Sequence, residues 1–538
     1  MKRMGLGLVV LALVLGFYSA DALAVRNGGT FQWIAPYGIS IDTLDPAATS
    51  DDKNILVILN IHRGLFGWDA KNSTYKLDLA ESMTADDDGL TYVIKLKDAK
   101  FHNGRTITAD DVIYSYNRLA DPKKSFASSH LLVEIDGAQA YLDGKADHIS
   151  GLEKIDDKTV RIKFRNPVDP GFQLWRYGTA IVPKEAAENE DFGSNPIGCG
   201  PFKLQKWTKG VEIVLVKNPE FYEPRKPYLD KLIYKIMADA AARDMAFQAG
   251  ELDANLLYAA QYEKFKNDPK LSKHMMEVPE MFTRAVRFNP NFTLADGRKP
   301  FSDKRVRQAV NYAINRELIV EKYAKGKAYP ARGFLAPTTP GFDPDCMSYE
   351  YNPEKAKQLM KEAGYAKGFD LTVIAGTSTA YGAGVVEAAT PFLKEIGIKV
   401  TIDKMENAVL YQKYSDGEFD AAIASHSSGP DPISIMYRFH SNSPRFKQRG
   451  ETSQKIDSFE QIIDLAAATR DPAMRLELVK IANDILTEEA VLWFYNYNKA
   501  VIAYQPWVHD MEPVGVEMMY QHMDNVWVDE TSPRANQK

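Results

Sequence analysis

Between Leu79 and Leu119 the apolar positions recur first at every second residue and then at every third or fourth, which predicts strand, turn, strand, loop and helix in that order. Tyr92, Ile94 and Leu96 alternate with polar neighbours after the acidic turn Asp86-Asp87-Asp88-Gly89, as the second arm of a hairpin does. From Thr108 the spacing lengthens. Val112, Tyr116 and Leu119 make one helical stripe, Thr108 is placed to cap the first turn, and Asp110 and Asp111 favour the positive end of the helix dipole.

Further along, strands are predicted at Lys203–Trp207 and Val211–Lys217, and a helix from Ser302 as N-cap carries Val306, Val310, Ala313 and Ile314 on one face. That leaves Arg305, Arg307 and Arg316 outside the stripe, as solvated surface or structural ion pairs rather than ligand contacts. Asn352 and Pro353 open a helix that stops at Gly364. Phe369–Ala375 then reads as a strand, a helix follows from about Val385 to Gly397, Ile398–Ile402 is a strand again, and Phe419–Ala424 gives another. This is a βαβ rhythm with a parallel sheet, so the segment is an α/β lobe. Ligands of open α/β sheets lie beyond the carboxyl ends of strands, which directs attention to the loop Ser425-His426-Ser427-Ser428-Gly429-Pro430-Asp431-Pro432.

Composition widens this to the whole chain. With 538 residues, 45% hydrophobic and 26% charged, it is long enough for two large lobes. Lys2 and Arg3 precede an apolar run from Leu6 to Phe17, and Ala22-Leu23-Ala24 offers small residues at a cleavage point, so residues 1–24 read as a signal peptide. The run is too short to span a membrane comfortably, and no Cys stands at the cut to carry a lipid. The mature protein is therefore expected outside the cytoplasm, in the periplasm of a cell with two membranes. Lys2, Arg3 and Asp21 together carry +1, so their removal takes the formal charge from −6 to −7, a balance that argues against nucleic acid. Cys199 and Cys346 fit free buried thiols better than a bridge between positions far apart in the chain, although the compartment permits a disulfide. No metal site or cofactor is expected from two scattered Cys and nine dispersed His.

Four motifs then resemble the signature of the family 5 solute-binding proteins of ABC importers. They are Leu79-Ala80-Glu81-Ser82, Asp88-Gly89-Leu90-Thr91-Tyr92, Phe101-His102-Asn103-Gly104 and Thr108-Ala109-Asp110-Asp111-Val112. Asn195 to Phe202 is similar to the family's P-x-G-T-G-P-[FY] turn, with Cys199 in place of Thr, and Pro300 to Arg316 is similar to its P-F-x-D-x-R-V-R helix. The resemblance runs from about Gly28 to Ala503. It implies a two-lobed periplasmic-binding-protein fold (type II, cluster C-like), with lobe I at 25–283 plus 499–538, an inserted subdomain at about 69–190, and lobe II at 284–498. The implied crossings lie near Glu277–Arg284 and Tyr495–Val501 and act as the hinge. The implied partners are a peptide or other small solute and the permease and ATPase complex of an ABC importer in the inner membrane, with the receptor itself a monomer and not an enzyme.

Peptide-binding relatives carry W-x-x-D-[YW]-x-D-P in the loop after the last parallel strand, and the first Asp receives the peptide's amine. Here Ser428 stands at that Asp and no Trp precedes it. Either Asp431 substitutes, or the ligand is a modified peptide, sugar conjugate, metal chelate or other solute without a free amine there; Asp431 also reads as a plain turn or cap residue. The candidate ligand contacts are Tyr37, Trp175, Tyr381, His426, Ser428, Asp431, Trp493 and Tyr495. Trp493, Tyr495 and Tyr497 alternate and are expected on one face of a strand. Many aromatics, Trp33 and Tyr177 among the others, read equally well as core.

A secreted hydrolase is the rival class. Gly376-Thr377-Ser378-Thr379-Ala380 fails the pattern G-x-S-x-G, there is no H-E-x-x-H, and Gly326-Lys327 lacks the rest of a phosphate loop. A sensory role on the same fold stays open. If amine recognition is missing because of Ser428, then Ser428→Asp should tighten binding of unmodified peptides in a titration; unchanged affinity would count against the alignment of that loop.

Overall fold

The computed structural model describes residues 24–537, apart from 36–39, 50–51, 127, 167, 377–381, 428–430, 444–454, 470, 513 and 517–520. The expectations for the leader, Tyr37, Tyr381 and Ser428 lie outside the described residues.

The hairpin and helix anticipated near the start are present as Ala80–Ala85, Thr91–Leu96 and Ala109–Leu119. The Asp111 carboxylate accepts from the Thr108 backbone N–H at 2.9 Å, and Val112, Tyr116 and Leu119 are buried. These strands continue into Thr159–Lys163 and Leu152–Asp156 as a separate four-stranded sheet. Another four-stranded sheet runs in the order Thr30–Ile34, Lys231–Lys235, Glu212–Lys217 and Phe202–Thr208.

The largest sheet joins the two halves of the molecule. Its order is Ala254–Leu256, Leu492–Tyr504, Met275–Phe288, Ala421–Ser427, Phe369–Gly376 and Ile398–Met405, with Ala328–Pro330 paired onto Leu492–Tyr504. Phe369–Gly376 runs parallel to both Ile398–Met405 and Ala421–Ser427, as the βαβ rhythm requires. One hydrophobic core gathers residues from Phe31 to Met281 and again from Ala500 to Val528. Two others are built between Ala285 and Tyr497. The antiparallel strands Met275–Phe288 and Leu492–Tyr504 pass from the first core into the others.

Four expectations are corrected. The helix after Pro300 starts at Lys304 and is capped by Asp303, whose Oδ1 accepts from the Arg305 N–H at 2.9 Å. Ser302 instead closes a 3-10 turn and donates to the Lys299 carbonyl. Arg307 and Arg316 are buried rather than solvated. Arg316, at the start of the next helix Arg316–Lys322, donates to the carbonyls of Phe494 (2.7 Å), Asn311 (3.0 Å) and Tyr349 (2.9 Å), and Arg307 to those of Phe301 and Glu489, so both tie their helices to neighbouring backbone. Only Arg305 is a surface residue, paired with Asp303. The strand after Phe419 extends to Ser427 because Met275–Phe288 offers it a long edge, so His426 pairs with Thr283 in the ladder and is not a loop residue.

The fourth correction concerns the aromatic trio. Phe494 pairs with Ala285 and Asn496 with Arg284, leaving Tyr495 as an extra residue in the strand. This bulge resets the alternation. Trp493 and Tyr495 enter one core while Tyr497 enters another with Leu492 and Phe494.

Cys199 and Cys346 are free and buried, and burial pushes the Cys199 thiol up to about 12. Among the described residues no helix is long and apolar enough to cross a membrane. Arg316→Met leaves three buried carbonyls without their donor and should lower stability by about 2–4 kcal/mol in urea denaturation, whereas Arg305→Gln should stay within about 0.5 kcal/mol.

Candidate functional site

The segment from Arg165 to Tyr177 belongs to the first half of the chain and faces the second. Asp169 caps the short helix Pro170–Leu174, accepting from the Gly171 N–H at 2.9 Å and from the Tyr75 hydroxyl at 3.1 Å. Across from it, Asp431 caps Pro432–Met436, accepting from the Ile433 N–H at 3.1 Å, and lies 3.9 Å from the Arg475 guanidinium. Burial pushes both carboxyl groups up, Arg475 opposes the rise in each, and Asp169 adds to the rise in Asp431. Arg475 thus acts on carboxylates from both halves of the chain. Tyr437 similarly feels Glu134 and Arg165.

Past its short helix the segment turns into a small cavity of about 10 Å³. Its wall includes His62, Arg63, Trp175, Arg176, Tyr177 and His522. Trp175 packs against Trp68 with ring centroids 4.8 Å apart, and the Tyr177 hydroxyl donates to the Thr49 carbonyl. Helix Asp52–Ile61 delivers His62 and Arg63 at its end. Because Arg63 is fully withdrawn from water, its charge must be met inside, and the chain supplies two carboxylates: Asp524 at 2.9 Å and Asp78 at 3.4 Å. Arg63 also donates to the Leu59 carbonyl, and its Nη1 lies 2.7 Å from His522 Nδ1. Tyr222 donates to Asp78.

The electrostatics follow from this sharing. Burial would push the Asp524 carboxyl up, but Arg63 and His522 prevail and hold it below the usual range. At Asp78 burial outweighs its share of the guanidinium, and the carboxyl rises. His62 donates from Nε2 to the Leu44 carbonyl at 3.1 Å, and burial depresses it from 6.5 to about 3, so it is neutral. His522 is likewise pushed well down, by burial and then by Arg63.

Of the predicted contacts, Trp175 lines the cavity and Asp431 sits across the gap. Trp493 and Tyr495 are buried in the core behind, and His426 is placed only by its backbone pairing. Arg63, Asp78, Arg176, Arg475, His522 and Asp524 were not anticipated. The one sequence signal for them was the charge in Asn60-Ile61-His62-Arg63-Gly64-Leu65-Phe66, a stretch otherwise suited to burial.

Comparison with known proteins adds a family. The family described as bacterial extracellular solute-binding proteins, family 5 Middle, matches residues 74–447. The chain is 28% identical over 499 residues to the glutathione-binding protein GsiB of Shigella dysenteriae serotype 1, a match covering 90% of this chain and 91% of that protein. It is similar in structure to the ABC transporter-associated periplasmic binding protein DppA from Helicobacter pylori in complex with a peptide, with TM-score 0.74, 24% identity, and 94% and 99% of the two chains covered. The murein tripeptide binding protein MppA in its unliganded open form matches with TM-score 0.79, 23% identity, and 94% and 98% covered. These structural likenesses show the fold, the two-lobed α/β architecture of periplasmic binding proteins.

The buried imidazoles make stability depend on pH. His102, donating to the Gly200 carbonyl, is also lowered to about 3 by burial. Below about pH 6.5 the unfolded chain takes up protons at both imidazoles that the folded chain refuses until about 3, so stability falls with pH through that window by about 1.4 kcal/mol per histidine per unit. His62→Gln should remove about a third of the slope that the three buried imidazoles His62, His102 and His522 contribute when urea midpoints are compared between about pH 7 and about pH 4.5. An unchanged slope would show that His62 is protonated in the folded state.

Proposed function

Because the chain belongs to family 5 of the bacterial extracellular solute-binding proteins, we propose that it captures peptides or peptide-like solutes, glutathione included, between its lobes and hands them to the permease and ATPase of an ABC importer. The observation that carries this reading is the likeness to a glutathione-binding protein over nine-tenths of both chains. The facing of Asp169 by Arg475 and Asp431 supports the gap between residues 165–177 and 431–437 as the place of capture. In this reading residues 1–24 are a leader cut off on export to the periplasm, and lobe I (25–283 plus 499–538) and lobe II (284–498) rotate about the strands they share. Trp175 and Asp431 contact the solute directly, and Tyr37, Tyr381, His426 and Ser428 complete the contacts. Trp493 and Tyr495 support the floor of the cleft from the core. The solute leaves unaltered, so the protein is a monomeric receptor and not an enzyme. Closure is driven only by contacts that are better in the closed form.

Mild denaturation of the purified protein should release a small solute identifiable by mass spectrometry. Returning that solute, or adding glutathione, should reduce the radius of gyration in small-angle scattering without consuming the ligand. Product accumulating from peptides or esters would replace the receptor with a hydrolase, and a radius indifferent to every solute would remove the closing cleft.

A further inference from the structure

A second cavity, of about 380 Å³, lies where the two crossing strands end in the first core. Two stretches far apart in the chain supply its wall: His274 and Met276 at the start of Met275–Phe288, and His509 and Met511 just after Leu492–Tyr504. Each sets a Met two residues after a His. Among nine His and 17 Met this spacing occurs at these two places only, and the fold brings both to one cavity. His509 is held in the manner of a metal ligand. Its Nε2 lies 2.7 Å from the Asp529 carboxylate, which fixes the ring and keeps the proton on that nitrogen, and the Trp527 ring stacks on it with centroids 4.1 Å apart. Nδ1 is the nitrogen left to accept. Among the described residues it has no hydrogen-bond partner, and neither has the imidazole of His274, which meets Tyr504 edge-on at 5.7 Å. The two charged residues of the wall, Lys273 and Asp510, are of opposite sign. Among the described residues no three His, Cys, Asp or Glu side chains are grouped to hold a metal, which excludes a zinc-type or calcium-type cage and leaves the thioethers to set the class of ion.

We propose that the two His-x-Met arms form a site for a soft monovalent cation of the cuprous type, held by the Met276 and Met511 sulfurs together with His274 and His509. Thioethers are polarisable donors that select Cu(I) over hard cations, and neutral imidazole completes such a set without adding charge. The cavity is wide, so the ligands come to the ion. A methionine has three rotatable bonds and can swing its sulfur inward while the backbone stays in place. His509 is the fixed point of the set, because Asp529 and Trp527 hold its ring. Met511 is buried and Met276 half-buried, so both sulfurs meet the ion with little competition from water. None of these residues belongs to segments 165–177 or 431–437, and the inference stands apart from the receptor reading.

Anaerobic titration of the purified protein against the Cu(I) complex of bathocuproine disulfonate tests the site. Wild-type protein should withdraw about one equivalent of Cu(I) from the chelator. Met276→Leu combined with Met511→Leu keeps the packing volume and removes both sulfurs, and should weaken binding about 100-fold or more. His274→Gln, at a half-buried position, should weaken it about tenfold, and it serves if the leucine variant does not fold. Ag(I), a redox-silent stand-in for Cu(I), should at about one equivalent protect Met276 from hydrogen peroxide in peptide mass spectrometry and leave the exposed Met474 unprotected. Failure of the wild-type protein to withdraw Cu(I), or silver protection no greater at Met276 than at Met474, overturns the site. Unchanged affinity in either variant also overturns it, and transfers the metal to the thiols of Cys199 and Cys346.

Discussion

Two antiparallel strands, Met275–Phe288 and Leu492–Tyr504, carry the relation between the halves of this protein. Each contributes side chains to the first core at one end and to the later cores at the other. Side chains lock the middle of this ladder. Lys499 reaches the Glu277 carboxylate at 3.2 Å and the Tyr262 hydroxyl at 3.3 Å, and its ammonium stands 4.6 Å from the Tyr329 ring centroid. Tyr262 comes from a helix of the first core and Tyr329 from the strand Ala328–Pro330 that pairs with Leu492–Tyr504, so one cation ties both sides of the crossing.

Buried arginines solve a different problem in each half. Arg307 and Arg316 donate to buried backbone carbonyls of neighbouring segments. Arg63 is matched instead by carboxylates drawn from positions far apart in the chain, Asp78 and Asp524. Both arrangements rigidify what they touch, because removing any member leaves an unmatched buried group.

Elements set by local rules were legible in the sequence. The hairpin at Ala80–Leu96, the capped helix Ala109–Leu119, the Asn352 cap, the stop at Gly364 with φ +83°, and the parallel βαβ unit all follow from spacing and cap chemistry. What was missed depended on partners distant in the chain. The Tyr495 bulge arises from pairing with Met275–Phe288, and period-two counting cannot see it. The extension of the strand through His426 has the same origin. Arg307 looked like surface because the apolar stripe of its helix was read without the strand beside it, and Arg316 because that helix was read through to it although it ends at Ala313. Trp175 and Asp431 were candidates as an aromatic and an acid in suggestive loops, and Asp431 takes the cap role also read for it, whereas Arg63 with Asp524 requires two positions 461 residues apart to meet.

The first core is assembled from both extremes of the described chain. The Thr30 N–H donates to the Arg534 carbonyl at 3.1 Å, Asn60 bonds the backbone of Gln521 and Met523, and Arg534 pairs with Asp253. A ribosome finishes every residue of the second half before it supplies the pieces that complete the first. The first core therefore lacks part of its lining until the last residues of the chain have been made.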